Sequence, residues 1–494
     1  MNPLEGEPTW TTITRGIDIF YTRPVLGSEL ATDRFSVAAD GTGDPCHGFT
    51  FHSRLSLEEI EERLLNAVAH LRFASPLVAA NLETGIHDHI FRSWVYAPAK
   101  SAVEVLEWSR KVVVVVGPTT SEDFIKTTVK NQVPYTHFDG SIILLHYYLF
   151  PNAGEPGIFS LFVHGPHTIL DGIPTIAAFS SIFEWMANPE REPVDSLQWG
   201  REWQNLPPGP VTATGGPRPE WKTKGMALVN QIFSMHTNPV PTLVVQPERT
   251  EIQNRGALIR SQVVIDEERT ARVLQAVKVA GYSVSHLFEA AHFLAVLSHN
   301  RVGSTVLDNA HVTNYMCIFG LQRFQLPPYN SKNSFTSAMS YAPVTLRVNE
   351  VLACEDPRER LLIALRQVKE QFDGYLANPH LPHATAAVVT LVPPHDIAVS
   401  SNPYTSVITN LGVVDRLITS NWFPDNTVPP RAALFEIMSM SVGHRLTNMM
   451  PLTHTWSFHS KLFIQTATPD NWDHSTVQAF VEEITRQALY IVAE

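Results

Sequence analysis

Apolar and polar positions along this chain follow two periods, and the pattern switches between them repeatedly. Ser56 and Glu59 form a capping box, after which Ile60, Leu64, Val68 and Leu71 recur at helical spacing, predicting a helix over about 57–72. Residues 112–116, 142–150 and 158–163 are short β-branched or aromatic runs bounded by turn residues, as in strands buried on at least one face. Gly172 and Pro174 stand where the next helix opens, since proline is tolerated in a first turn whose N–H groups lack intrahelical acceptors; residues 173–186 supply that helix.

Between 188 and 222 the pattern dissolves into Pro189, Pro193, Pro207, Pro208, Pro210, Gly215, Gly216, Pro217 and Pro219, which support neither a helix nor a central strand. This stretch marks a linker or crossover, dividing the chain into 1–187, a connection at 188–225, and 226–494. The second part restarts with a strand at 261–265, an Asp266-capped helix to about 280 and a Ser283-capped helix over 284–298. Strand-like runs return at 341–348, 404–409, 432–442 and 455–465, with helices over 356–376 and 475–492. Strands and helices alternate in both halves without a 20–50-residue repeat, predicting two α/β layers joined by a long connection.

At 494 residues the chain is too long for one ordinary core, and its 44% apolar content can fill two or three. A formal charge of −12 and a pI near 5.9 argue against nucleic acid or an anionic membrane as partner, because both need a basic surface. The first residues lack the basic start and apolar core of a signal peptide, no run approaches 18 apolar residues, and no glycosylation sequon occurs. A cytoplasmic monomer is the expectation. Cys46, Cys317 and Cys354 are odd in number and far apart, so they read as free thiols.

The stretch 157–175 changes this picture most. An apolar strand delivers His167 and Asp171 onto a tight turn from which a helix opens, and an imidazole is the usual side chain for taking a proton from a hydroxyl, amine or thiol near neutral pH. Two readings stand on the residues alone: a general base on a constrained turn, or a loop histidine followed by a helix-capping Asp171.

A strand, His167-X-X-X-Asp171-Gly172 and a helix at about one third of the chain resemble the chloramphenicol-acetyltransferase-like superfamily. That superfamily includes plant BAHD acyltransferases, fungal trichothecene acetyltransferases and peptide-synthetase condensation domains. Thr409-Asn410-Leu411-Gly412 is similar to the Ser/Asn-X-Gly segment of condensation domains, and 455–465 with the terminal helix to their last strand and helix. The resemblance implies an α/β fold of two such subdomains, mixed sheets with flanking helices, joined by a long crossover with an active-site tunnel between them. It also implies His167 as general base, Asp171 as an orienting residue paired with an arginine, and the Gly172 N–H as an oxyanion donor, with Thr409 and Asn410 as candidate substrate-binding residues.

Departures from the pattern narrow the expectation. Pro166 stands where condensation domains carry a first histidine, which favours stand-alone acyltransferases over peptide-bond formation. Pro richness, the long connection and the missing Asp-Phe-Gly-Trp-Gly motif favour the fungal branch over the plant one. The expected Asn-X-Arg appears as Asn314-Tyr315-Met316, leaving Arg323 to partner Asp171.

Other clusters read as structure. His87 and His89 lack a third ligand nearby and form a surface loop; His380 and His383 form a polar loop; His454 and His459 are sheet residues; Trp456 and Phe458 pack in a core. His164 is a satisfied core histidine. Gly41-Thr42-Gly43 lacks the third glycine and preceding strand of a dinucleotide fingerprint, and neither a nucleophile elbow nor a Walker sequence occurs. No metal or bound cofactor is expected.

The reading that follows is an O-acyltransferase using an acyl thioester, with acyl-CoA as co-substrate and a hydroxyl of a hydrophobic small molecule as acceptor. An acyl carrier protein is the alternative donor, disfavoured because it is acidic and would meet net like charge. Two rivals stand beside it: a cyclase or pericyclase on a polyketide-type intermediate, and a non-catalytic small-molecule binder.

Overall fold

The strand read from 158–163 lies inside a six-stranded sheet, and its neighbours explain why it is apolar on both faces. In the computed structural model, which describes residues 6–87, 91–237, 242–300, 310–330, 335–391, 404–424 and 432–492, the sheet order is Asn421–Trp422, Phe435–His444, Pro45–Ser53, Ile158–His164, His146–Pro151, Val113–Val115. Adjacent strands are antiparallel except the last pair. Phe49, Phe51 and Phe435 pack with Phe179 and Phe183 of the helix Gly172–Ala187 on one face. Phe124 of the helix Ser121–Thr128 packs on Phe150 and Phe162 of the sheet. Gly48 admits this arrangement, since a Cβ there would stand 2.3 Å from the Phe162 ring.

The chain forms two compact units. The first comprises Met1–Pro217, Leu321–Ala338 and Asp415–Arg445; the second comprises Arg218–Gly320, Met339–Val414 and Leu446–Glu494. This differs from the linear division at 188–225. The strand Phe435–His444 hydrogen-bonds along Pro45–Ser53, so a segment near the C-terminus completes a sheet of the first unit, a pairing that no local pattern encodes. The Pro-rich stretch up to Pro217 also packs within the first unit, where the buried Glu202 carboxylate accepts from Tyr96 Oη at 2.8 Å and from the Ala99 N–H at 2.6 Å. The first unit further contains an antiparallel sheet ordered Thr11–Arg15, Asp18–Pro24, Ser93–Tyr96, Asn81–Glu83.

The second unit holds a mixed sheet ordered Ile259–Ile265, Lys461–Thr468, Leu452–Phe458, Val407–Val413, and an antiparallel pair, His311–Gly320 with Met339–Arg347. Its core is lined by Phe288, Leu294, Leu365, Phe480 and Ile484 from three helices. The run 455–465 is a hairpin rather than one strand: His459 and Ser460 turn the chain with φ of 48° and 59°. Such turns usually carry Asn-Gly, and here the apolar alternation runs on past a turn without that signal.

The Ser56 capping box is present, with Ser56 Oγ accepting from the Glu59 N–H at 3.2 Å and Glu59 Oε2 from the Ser56 N–H at 2.8 Å; the helix spans Leu57–Ala74. The stretch 142–150 divides into Ile142–Ile143 and His146–Pro151. Among the described residues no helix is long and apolar enough to cross a membrane.

Candidate active site

The strand Ile158–His164 ends in a compact turn. The N–H groups of Ile169 and Leu170 both donate to the Pro166 carbonyl at 3.2 Å, and Asp171 is extended, with φ −78° and ψ 140°, as the residue before the helix. Its carbonyl accepts the first helical bond, from Thr175 at 2.9 Å, while its side chain makes no capping bond within that helix. The carboxylate is therefore directed elsewhere.

Two buried carboxylates grip this turn from outside it, and a third, Asp171, reaches out from it. Asp44 Oδ1 accepts from the His167 N–H at 3.1 Å, Asp33 Oδ1 from the Thr168 hydroxyl at 3.2 Å, and Asp171 Oδ2 from the Ala338 N–H at 2.8 Å. Asp33 is paired with Arg92 at 2.6 Å, and Asp44 Oδ2 accepts from Ser36 Oγ at 3.3 Å. Burial pushes the Asp44 carboxyl up to about 7 against the His167 N–H, the Ser36 hydroxyl and the charges of Arg92 and Arg445. Burial likewise raises Asp33, against Arg92 and Thr168.

Asp171 is raised to about 6 by burial, opposed by the N–H groups of Ala338 and Gly172. Among the described residues no guanidinium is among the groups acting on it, and Arg323 lies over the Phe324 ring at 4.7 Å. Among the described residues the groups that meet this carboxylate are main-chain amides, which solvate a buried carboxylate without the desolvation of a second charge.

His167 itself is half-buried, with its Nδ1 enclosed by protein. Burial holds the ring below the ordinary imidazole value, opposed by its own main-chain carbonyl, so the ring is neutral near pH 7. The loop at Gly41 to Gly43, dismissed as a nucleotide fingerprint, packs against this ring: a Cβ at Gly43 would stand 3.9 Å from His167 Cδ2, and its φ is +90°. His444, at the end of the Phe435–His444 strand, places its ring 6.2 Å from that of His167 and 5.2 Å from that of His47. Sequence reading passed over Asp33, Asp44, His47, Arg92, His444 and Arg445. The last two follow a strand run that ended in the reading at 442, and nothing local ties them to residue 167.

His164 is fully buried, with Nδ1 bonded to the Tyr135 hydroxyl, and burial lowers it to about 3. His380 and His383 do not form a polar loop: both are buried and flank Trp221, with ring centroids 5.8 and 5.1 Å away. Proline is allowed at the start of the helix Leu381–Leu391, so Pro382 does not prevent it from forming there. Trp456 stacks on Phe463 at 5.2 Å and, like Phe458, is buried; His454 is a buried strand residue, while His459 occupies the hairpin turn. His87 Nε2 meets Thr22 Oγ1 at 3.3 Å, and His89 lies outside the described residues.

Thr409 and Asn410 belong to the second unit, on the strand Val407–Val413. Asn410 Oδ1 accepts from the Gly412 N–H at 2.7 Å where the register with Leu452–Phe458 shifts, and its Nδ2 donates to Ser285 Oγ at 3.3 Å. The Thr409 carbonyl accepts from the Thr455 hydroxyl at 3.4 Å. Asn314 is fully buried and donates to Glu289 Oε1 at 3.0 Å; burial raises Glu289 to about 8.

No family model and no curated protein matches this sequence. Solved structures do. The trichothecene 15-O-acetyltransferase from Fusarium sporotrichioides shares 15% identity at a TM-score of 0.81, over 100% of this chain and 99% of that one. The condensation domain of the Monacolin K polyketide synthase MokA shares 11% at 0.60, over 97% and 98%. Polyketide synthase associated protein 5 from Mycobacterium tuberculosis shares 12% at 0.58, over 94% and 98%. These likenesses establish the fold: the α/β architecture of mixed sheets with flanking helices common to chloramphenicol-acetyltransferase-like and condensation-domain structures.

Proposed function

We propose that this chain is an O-acyltransferase that moves an acyl group from a thioester, acyl-CoA in the first instance, to a hydroxyl of a hydrophobic small molecule. The observation that carries the reading is a half-buried, neutral His167 on a strand-to-helix turn whose His167 N–H is held by Asp44, whose Thr168 hydroxyl is held by Asp33, and whose Asp171 reaches out to the Ala338 N–H. A base must be deprotonated to act, and burial supplies that state. In the proposed step His167 takes the hydroxyl proton as the oxygen attacks the thioester carbonyl; the carbon–sulfur bond then breaks and the proton passes to the departing thiolate. Ester and free thiol are the products, with no covalent acyl-enzyme.

The likeness over the full length to a trichothecene 15-O-acetyltransferase supports an acetyl or short acyl group and a hydroxylated, apolar acceptor. The likeness to a condensation domain supports a carrier-protein thioester as the alternative donor. Incubation with acyl-CoA or an acylated carrier and a panel of hydrophobic alcohols, with released thiol measured, tests the reading. Release with an alcohol, abolished by His167→Ala, is expected. Turnover of a polyketide-type substrate without thiol release overturns it in favour of a cyclase, and ligand binding without turnover overturns it in favour of a binding protein.

A further inference from the structure

Arg445 is more than 270 residues from His167 in sequence, yet in the first unit it organises the loop on which His167 rests. Its side chain is 3% exposed. Nε donates to the Asp40 carbonyl at 2.7 Å, Nη2 to Asp40 Oδ2 at 2.8 Å, and Nη1 to the carbonyls of Lys130 at 2.6 Å and Val129 at 3.3 Å. The Arg445 main chain continues the grip: its N–H donates to the Asp44 carbonyl at 2.9 Å, and its carbonyl accepts from the Gly43 N–H at 2.8 Å. Both ends of the loop from Asp40 to Asp44 are thereby tied to one residue. The same loop presents Asp44 Oδ1 to the His167 N–H and Gly43 to the His167 ring.

We infer that Arg445, acting through the loop Asp40 to Asp44, is a positioning residue that sets where the His167 imidazole stands and how far it is shielded from water. The geometry requires an arginine, because a planar fork reaches three carbonyls and a carboxylate at once and a lysine ammonium does not. It requires a glycine at position 43, where a φ of +90° strains any side chain. The loop is therefore a device for the histidine, which accounts for the two glycines without any nucleotide. Among the described residues, the titratable and charged groups around the ring include Asp44, which takes the His167 N–H, and His444, whose strand lies across Pro45–Ser53 and whose ring has His47 beside it, with Arg92 and Arg445 acting on Asp44.

The inference rests on His167 being the reacting group, so its test uses a readout that needs no substrate. The protein is labelled with carbon-13 histidine, the His167 ring resonance is assigned by its loss in His167→Ala, and that resonance is followed against pH. In Arg445→Lys the ring becomes more solvated and its midpoint rises toward the ordinary imidazole value. Asp44→Ala produces the same rise, and Asp44→Asn, which keeps an oxygen for the His167 N–H, a smaller one. If thiol release is observed with the unaltered protein, Arg445→Lys lowers kcat by up to about 100-fold, the scale of a misplacement near 1 Å, with KM nearly unchanged. A folded Arg445→Lys whose His167 resonance titrates as in the unaltered protein overturns the inference. Should Arg445→Lys fail to fold, Gly43→Ala carries the same test, because it strains the loop and leaves the guanidinium alone; an unchanged titration there overturns it equally. Absence of thiol release from the unaltered protein counts against the acyltransferase reading alone and leaves the titration to decide this one.

Discussion

The His167 turn in the first unit and the Glu289 cluster in the second both bury carboxyl groups, and they satisfy them in different ways. Around His167, Asp44 takes the His167 N–H, Asp33 the Thr168 hydroxyl and Asp171 the Ala338 N–H, so these bonds fix the turn and none of them engages the imidazole. Glu289 meets side chains instead, the Asn314 amide at 3.0 Å and the Cys317 thiol at 3.7 Å, and the group closes on itself. Burial of a charge is thus no mark of a reactive site by itself. What distinguishes the first cluster is that its polar atoms organise a backbone around a group whose own chemistry remains open.

The sharpest way to break this comparison is to remove the open group. His167→Ala is expected to lower thiol release by about 100- to 10,000-fold with the circular dichroism spectrum unchanged, on general-base precedent. A loss of less than tenfold would place the chemistry elsewhere. Next in size is Asp171→Ala, which leaves the buried Ala338 N–H without its acceptor: about 1–3 kcal/mol of stability is lost, read by thermal unfolding, together with up to about 100-fold in rate. Asp171→Asn keeps an oxygen there and falls between the two. Equal behaviour of the Ala and Asn variants would deny the carboxylate its backbone-holding role.

Acidity separates the clusters again. Because burial lowers His167, kcat/KM is expected to fall tenfold per pH unit only below an inflection that lies under the ordinary imidazole value of about 6.5. An inflection above that value would contradict a shielded ring. Glu289 gives the smallest effect and leaves the rate alone. Its folded value of about 8 lies above the usual carboxylate range, so the folded state holds a proton that the unfolded chain releases. The resulting stability is complete below about 4.5 and is lost as pH rises through about 8, with a slope of up to about 1.4 kcal/mol per pH unit. Glu289→Gln should flatten that decline in urea unfolding measured between pH 5 and 9, and superimposable profiles would show that the carboxyl is not protonated in the fold.

The elements that carry the site were legible wherever their signals are local. The strand Ile158–His164, the turn and the helix Gly172–Ala187 follow from a short apolar run, Gly172 and Pro174, all within one stretch of chain. The capped helices at Ser56, Asp266 and Ser283 were legible for the same reason. The partners of the turn were not. Asp33 and Asp44 sit among residues with no chemical motif, Ala338 offers only a main-chain N–H, and Gly43 carries information through its φ alone. The hairpin turn at His459 and Ser460 escaped because its residues do not announce positive φ.

Local periodicity and turn chemistry act between residues a few positions apart, so the sequence by itself determined an α/β chain and a histidine offered on a strand-to-helix turn. Which strand would lie beside Pro45–Ser53 was decided only in three dimensions, because sheet pairing depends on complementary edges rather than on nearness in sequence. That pairing brings the His444 ring within 6.2 Å of the His167 ring and bonds Arg445 to the loop Asp40 to Asp44. The motif supplied an imidazole; its neutrality comes from burial and its fixed position from carboxylates, amides and a guanidinium, all of which only the tertiary structure assembles.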